Sequence, residues 1–351
     1  MKNQILGKLF ARNVKYASYC AAIALALPCI SACGSGPSGS SSSASTATQQ
    51  DTSTDDTSTP LPSPEIPMTV QTPDTGFVTE TEVLLAADGT SSPENTYSLI
   101  EAVFGEGSIE APDFFSNDHT AIPHIIEEND TWVGNHFVFL AHRDLDFNKG
   151  VESDRQRNEI KSYDKSAAPL KGFEGETMQF EWFFFVSSEM SLTSKFSHFF
   201  QLKARNNSED NSNGNDEQPV LTLSGVEKDS SGQELQVRHS TGNTEEGQRT
   251  DDVYLVRANW TDITDEWVKV FVQATFAEDG QLIMQLTRLR DHAVIIDIHE
   301  NNIDMWRGVS EQDFIRPKWG IYRSTAQWDQ LRAEEERVKF ADFVVRKGRA
   351  N

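Results

Sequence analysis

Three short segments of this 351-residue chain carry cationic, amide and phenolic side chains at the spacing of an extended backbone. In Asp154-Arg155-Gln156-Arg157-Asn158-Glu159-Ile160-Lys161, a strand sends Arg155, Arg157, Glu159 and Lys161 to one side and Gln156, Asn158 and Ile160 to the other. One face then holds three cations around one carboxylate, although a solvated charged face would also account for this segment taken alone. In His198-Phe199-Phe200-Gln201-Leu202-Lys203, Gln201 and Lys203 share a face; His198 falls on the opposite one with Phe200 and Leu202 unless a bulge turns it round. Lys203 in so apolar a strand is costly to bury without a purpose. In Pro317-Lys318-Trp319-Gly320-Ile321-Tyr322-Arg323, Lys318 and Tyr322 share a face, Trp319 and Ile321 turn to the core, and Arg323 adds a further cation. Gly320, between Lys318 and Tyr322, leaves room for a ligand to approach the backbone. Guanidinium, ammonium and amide groups gathered in this way can bind an anion, and a phenol among them can transfer a proton.

Taken in order, the Arg-x-Glu-x-basic strand, the Gln-x-(His or Lys) strand and the late Lys-x-Gly-x-Tyr strand resemble the jelly-roll polysaccharide lyases. The likeness is greatest to family 7 alginate lyases, with similarities to family 20 glucuronan lyases and heparin lyase I. The family 7 pattern is Arg-x-Glu-Leu-Arg, Gln-Ile-His and Tyr-x-Lys-x-Gly-x-Tyr; this chain has Arg157-Asn158-Glu159-Ile160-Lys161, Gln201-Leu202-Lys203 and Lys318-Trp319-Gly320-Ile321-Tyr322. The resemblance runs from about Asn135 to the C-terminus, and its main departure is Lys203 where family 7 has histidine.

The resemblance implies β-elimination at a uronate, in which the C5 proton is removed and the oxygen at C4 is released. Donors aimed at the uronate carboxylate supply the largest electrostatic contribution to such a step. Arg157 and Gln201 take that role by resemblance, and Glu159 orients Arg157. Lys203 and Lys318 add positive field, and Arg155, Lys161 and Arg323 complete the substrate-binding set. Tyr322 is the implied proton-transfer residue. A separate base would be His198 or His142, the latter in Phe139-Leu140-Ala141-His142-Arg143-Asp144 at the end of a preceding strand. No cofactor is required by this chemistry, and no metal is assigned to the site.

The elements that must position these groups are strands. Met178, Phe180, Trp182 and Phe184 alternate with Gln179, Glu181 and Phe183, and the runs 268–272 and 282–286 flank the turn Ala277-Glu278-Asp279-Gly280. A second hairpin joins 220–223 to 235–238 across Asp229-Ser230-Ser231-Gly232, and Arg337–Val345 reads as the last strand. Helical pattern is confined to short pieces near Tyr97–Val103 and Gln327–Glu336. The expected fold is all-β: an antiparallel β-sandwich of jelly-roll, concanavalin A-like type with few short helices.

The N-terminal region reads differently. Lys2, Lys8, Arg12 and Lys15 precede an apolar run at 21–27, about half the roughly 20 residues that a bilayer span needs. Ile30-Ser31-Ala32-Cys33 resembles the lipobox of bacterial lipoproteins, whose cysteine is acylated. Residues 1–32 are therefore expected to be a lipoprotein signal peptide. Cys33 with the Ser/Thr-rich stretch to residue 69 is expected to be a lipidated, disordered tether, and 70–351 one lyase domain. The expected location is the cell envelope of a bacterium, at its outer membrane or surface.

All three cysteines lie in the first 33 residues, which leaves the domain without a disulfide or a thiol nucleophile. A net charge of −23 argues against nucleic acid as a partner and leaves an anionic polysaccharide dependent on a local basic groove. Contact with the membrane is expected through the lipid anchor alone, and the domain is expected to be a monomer. The acidic stretch Asn206–Gln218 is read as a loop in which a structural calcium ion is the minor alternative.

Two rival functions share the fold. A glycoside hydrolase would need paired carboxylates, and its usual signature on this fold, Glu-x-Asp-x-Glu or Glu-x-Asp-x-x-Glu, is absent from the sequence. A lectin-like module without turnover could use the same cations, with Trp132, Trp182 or Trp306 as a sugar platform.

Overall fold

A computed structural model of the chain describes residues 70–206, 216–229, 232–243, 250 and 252–350. The expected signal peptide, Cys33 and tether lie outside the described residues, as do positions 207–215 of the calcium-candidate loop.

Fifteen strands are described: β1 Val78–Leu85, β2 Ile109–Glu110, β3 Ile125–Asp130, β4 Gly134–Ala141, β5 Arg155–Lys161, β6 Thr177–Val186, β7 Ser197–Arg205, β8 Pro219–Lys228, β9 Gly232–His239, β10 Val253–Asn259, β11 Val268–Thr275, β12 Gly280–Arg288, β13 Val294–Ile303, β14 Phe314–Ser324 and β15 Glu336–Arg349. They form two antiparallel sheets. One runs β13-β12-β11-β6-β15-β4-β3, with β1 also on β15; the other runs β10-β9-β8-β7-β14-β5-β2. The alternation read in the sequence becomes the layer between them. Phe180, Trp182 and Phe184 of β6 meet Phe199 and Phe200 of β7 and Trp319 of β14, with Trp182 and Phe200 ring centroids 4.5 Å apart. Burial of aromatic side chains on this scale contributes about 2–3 kcal/mol each.

Both expected hairpins form, β8–β9 between Lys228 and Gly232 and β11–β12 between Thr275 and Gly280. The single α-helix among the described residues, α1 (Pro93–Phe104), contains the Tyr97–Val103 piece; Ser92 caps it, Pro93 opens it, and Ile100 and Phe104 are buried. The second expected helix does not form. Residues 327–336 hold one short turn at Trp328–Gln330, and Glu336 opens β15, where its backbone pairs with Ala141 and its carboxylate with the buried Arg323. A ladder bond and a buried ion pair override local helical preference there.

Two backbone features shape the second sheet. The pairing of β7 shifts register between His198 and Phe200, so Phe199 and Phe200 both enter the core and His198 turns to the face of Gln201 and Lys203. In β14, Gly320 has φ +139, and a Cβ there would collide with the Asn158 carbonyl oxygen of β5. Close packing of two strands, rather than access for a ligand, accounts for that glycine.

Candidate active site

Register across the second sheet sets the functional side chains in two transverse rows on its face away from the core. Arg157 of β5 pairs with Tyr322 of β14, Tyr322 with His198 of β7, and His198 with Ser224 of β8. The adjacent row runs Lys161, Lys318, Gln201, Thr222 and Arg238 across β5, β14, β7, β8 and β9. Above them lies a cleft of about 560 Å³ whose wall includes Lys149, Arg155, Arg157, Lys203 and Arg238, against two carboxylates, Glu217 and Asp252. A chain of strongly negative net charge therefore carries a locally positive groove, the condition an anionic polymer needs.

Beneath the cleft lies a desolvated charge network. Glu159 accepts from the Arg157 guanidinium and the Gln201 amide, and pairs with Lys318 at 2.6 Å. Glu110 of β2 takes Lys161 at 2.6 Å, Lys318 at 2.9 Å, and Lys149 and Arg157 at 3.4 Å. Burial alone would raise the Glu110 carboxyl, but Lys318, Arg157, Lys161 and Lys149 outweigh it and hold the group well below the usual carboxylate range. Burial likewise works against an ionised Glu159, and Lys318 with Arg157 lowers it in net. The two carboxylates thus remain charged and fix Arg157 and Gln201 in position.

Tyr322 is placed by cations. Arg155 Nη1 donates to its hydroxyl at 3.1 Å, and the Arg157 guanidinium carbon lies 3.8 Å from its ring centroid. His198 faces it at 5.9 Å between ring centroids, stacks on Phe196, and engages Ser224 Oγ through Nδ1 at 2.7 Å. Burial, reinforced by Arg238, Arg157, Lys203 and Lys318, depresses His198 well below the ordinary histidine value, which keeps it neutral. Lys203 is depressed to about 7, first by burial and then by Lys318, Arg316 and Arg157; its ammonium donates to the Glu217 carbonyl at 2.6 Å.

The structure brings Arg155, Arg157, His198, Gln201, Lys203 and Tyr322 to one cleft and sets Glu159, Lys161 and Lys318 directly beneath it. Two expected site residues lie elsewhere. Arg323 faces the interior, fully buried, and bonds Glu336 and Gln156 because its odd position on β14 points opposite to Tyr322. His142 does not line the cleft; it follows β4 of the other sheet and packs with His119 and His124. Of the three tryptophans considered as sugar platforms, Trp182 and Trp306 are buried and Trp132 is exposed at the β3–β4 turn.

Sequence reading missed several contributors. Arg238 and Ser224 were accessible to it, since the expected β8–β9 hairpin fixes their face once Gln201 is placed. Glu110 sits in a two-residue strand, and Asn148 and Lys149 in a loop, where no periodic signal exists.

The fold is that of the jelly-roll polysaccharide lyases. The marine PL-14 alginate lyase from Aplysia kurodai matches with a TM-score of 0.50 and 12% identity over 76% of this chain and 98% of that one. The endo-β-1,4-glucuronan lyase from the fungus Trichoderma reesei matches at 0.44 and 15% over 63% and 86%. The marine PL7 alginate lyase from Zobellia galactanivorans matches at 0.38 and 15% over 61% and 78%. No protein-family model matches the sequence, and no curated protein matches it.

Proposed function

We propose that this protein is a lyase that cleaves a uronate-containing polysaccharide by β-elimination, leaving an unsaturated uronate at the new end. The observation that carries the reading is the Arg155–Tyr322–Arg157 arrangement facing a neutral His198 in a basic cleft. Arg157 and Gln201, held from below by Glu159, receive the uronate carboxylate and neutralise it, which makes the C5 proton removable.

His198 takes that proton on Nε2, with Nδ1 donating to Ser224. The C5–H electron pair becomes the C4–C5 double bond, the C4–O4 bond breaks, and the Tyr322 hydroxyl donates its proton to the departing oxygen. Charge developing on the phenolic oxygen meets the Arg155 guanidinium. Water resets both groups by carrying a proton from His198 back to Tyr322. The proposal extends to export as an envelope lipoprotein attached through Cys33.

Incubation with a panel of uronate polymers tests the reading. A gain in the ultraviolet absorbance of a conjugated, unsaturated uronate supports it. New reducing ends without that absorbance would assign a hydrolase, and binding with neither would assign a lectin-like module.

A further inference from the structure

The strongest unassigned feature lies outside the cleft, where His119, His124, His142 and Asp146 converge. Their ligand atoms all lie within 4.8 Å of one another. Asp146 Oδ1 is 3.0 Å from His119 Nδ1, 3.0 Å from His124 Nε2 and 3.4 Å from His142 Nδ1. The three imidazoles stand nearly perpendicular to one another, at 80–89°, with centroids 4.9–5.2 Å apart.

Hydrogen bonding alone explains this arrangement poorly. One carboxylate oxygen has two lone pairs and faces three imidazole nitrogens, while the other oxygen already accepts the His142 backbone N–H at 2.6 Å. The buried His142 Nδ1 has no hydrogen-bond partner. The outer nitrogens complete the pattern: His124 Nδ1 meets Asp113 Oδ1 at 3.1 Å and His142 Nε2 meets Glu335 Oε2 at 3.0 Å, with Asp113 itself fixed by the Tyr97 hydroxyl at 2.7 Å. Carboxylates behind imidazoles are the usual outer support of metal-bound histidines, since they set the tautomer that turns a lone pair inward.

We infer that His119, His124, His142 and Asp146 form a closed, four-ligand zinc site that staples the segment before β3 to the β4–β5 loop. Three imidazole nitrogens and one carboxylate oxygen suit a tetrahedral borderline cation, and bonds of about 2.0–2.2 Å at tetrahedral angles put ligand atoms about 3.3–3.5 Å apart, close to the separations seen around Asp146. With all four positions filled by protein the ion is structural. It is separate from the cleft, to which the sequence assigns no metal, since none of its four ligands lines that cleft. The loop it pins supplies the cleft wall: Asn148 Oδ1 accepts from Arg157 Nε at 2.9 Å, Lys149 reaches Glu110, and Asp118 holds the Phe147 and Gly150 amides.

The test is metal analysis of the full chain purified without chelators and dialysed against metal-free buffer. One zinc per chain is expected, lost to a strong chelator with a fall in melting temperature and regained with Zn2+. Co2+ should bind the stripped protein with the intense visible absorption of a tetrahedral site, and His119→Gln, at a partly exposed ligand, should weaken zinc retention at least tenfold. Folded protein with no stoichiometric metal, whose melting is indifferent to chelator and to added Zn2+, would overturn the site and leave a hydrogen-bonded cluster. The outcome is independent of lyase activity.

Discussion

The Arg157 guanidinium sits 3.8 Å from the centre of the Tyr322 ring, two residues directly paired across β5 and β14. One further rung brings His198 opposite Tyr322. The two groups proposed to transfer protons are thus spaced by strand pairing, and Arg157 comes from the same rung.

The network under the cleft should be sensitive to the loss of one charge. Glu159→Gln leaves Lys318 and Arg157 buried with reduced compensation, and breaking a buried pair from one side costs about 3–5 kcal/mol. Denaturant unfolding should record a loss of that order, with partial recovery in Glu159→Gln/Lys318→Met. A loss under about 1 kcal/mol would mean that these charges are solvated.

Lys203 gives the cleft a pH dependence. With its ammonium depressed to about 7, it is charged below that pH and neutral above it. A polyanion prefers the charged form, so affinity is greatest at lower pH and declines as pH rises through about 7. One charge-assisted hydrogen bond, about 1.5 kcal/mol, corresponds to roughly a tenfold rise in KM across the window. Lys203→Arg should flatten that limb, and a wild-type KM constant between pH 6 and 8.5 would remove Lys203 from binding.

Gly320→Ala distinguishes two explanations for that glycine. Its positive φ and the nearby Asn158 carbonyl oxygen require strand displacement, with a cost of about 1–3 kcal/mol or more. The expected result is a lower melting temperature. A stable variant with only a raised KM would favour a glycine kept open for substrate.

Export can be tested without reference to activity. If Cys33 carries the anchor as proposed, Cys33→Ser should move the protein from the membrane fraction to the soluble fraction. Equal fractionation of both forms would remove the anchor.

Much of the site was legible because side-chain alternation carries the information: counting in twos set Arg157 with Glu159, Gln201 with Lys203 and Tyr322 with Lys318 on one face of their own strands, the resemblance implied that those faces meet, and the core aromatics followed from the same count. His198 needed the register shift beside Phe199, which periodicity cannot reveal when residues 199 and 200 are both phenylalanine. Arg323 was misplaced for the opposite reason, since its charge suggested the cleft although its position on β14 put it inside against Glu336. The histidine cluster joins residues 119, 124, 142 and 146 through loops, where sequence spacing holds no geometry.

Tyr322→Phe is the decisive substitution for the elimination chemistry. The variant keeps the ring beneath Arg157 and removes only the hydroxyl that Arg155 contacts. On a uronate polymer that the wild type converts to unsaturated product, turnover should fall by about 10²–10⁴-fold, with polymer affinity unchanged within a few-fold. Turnover equal to wild type would exclude the phenol from proton transfer and overturn the proposed mechanism.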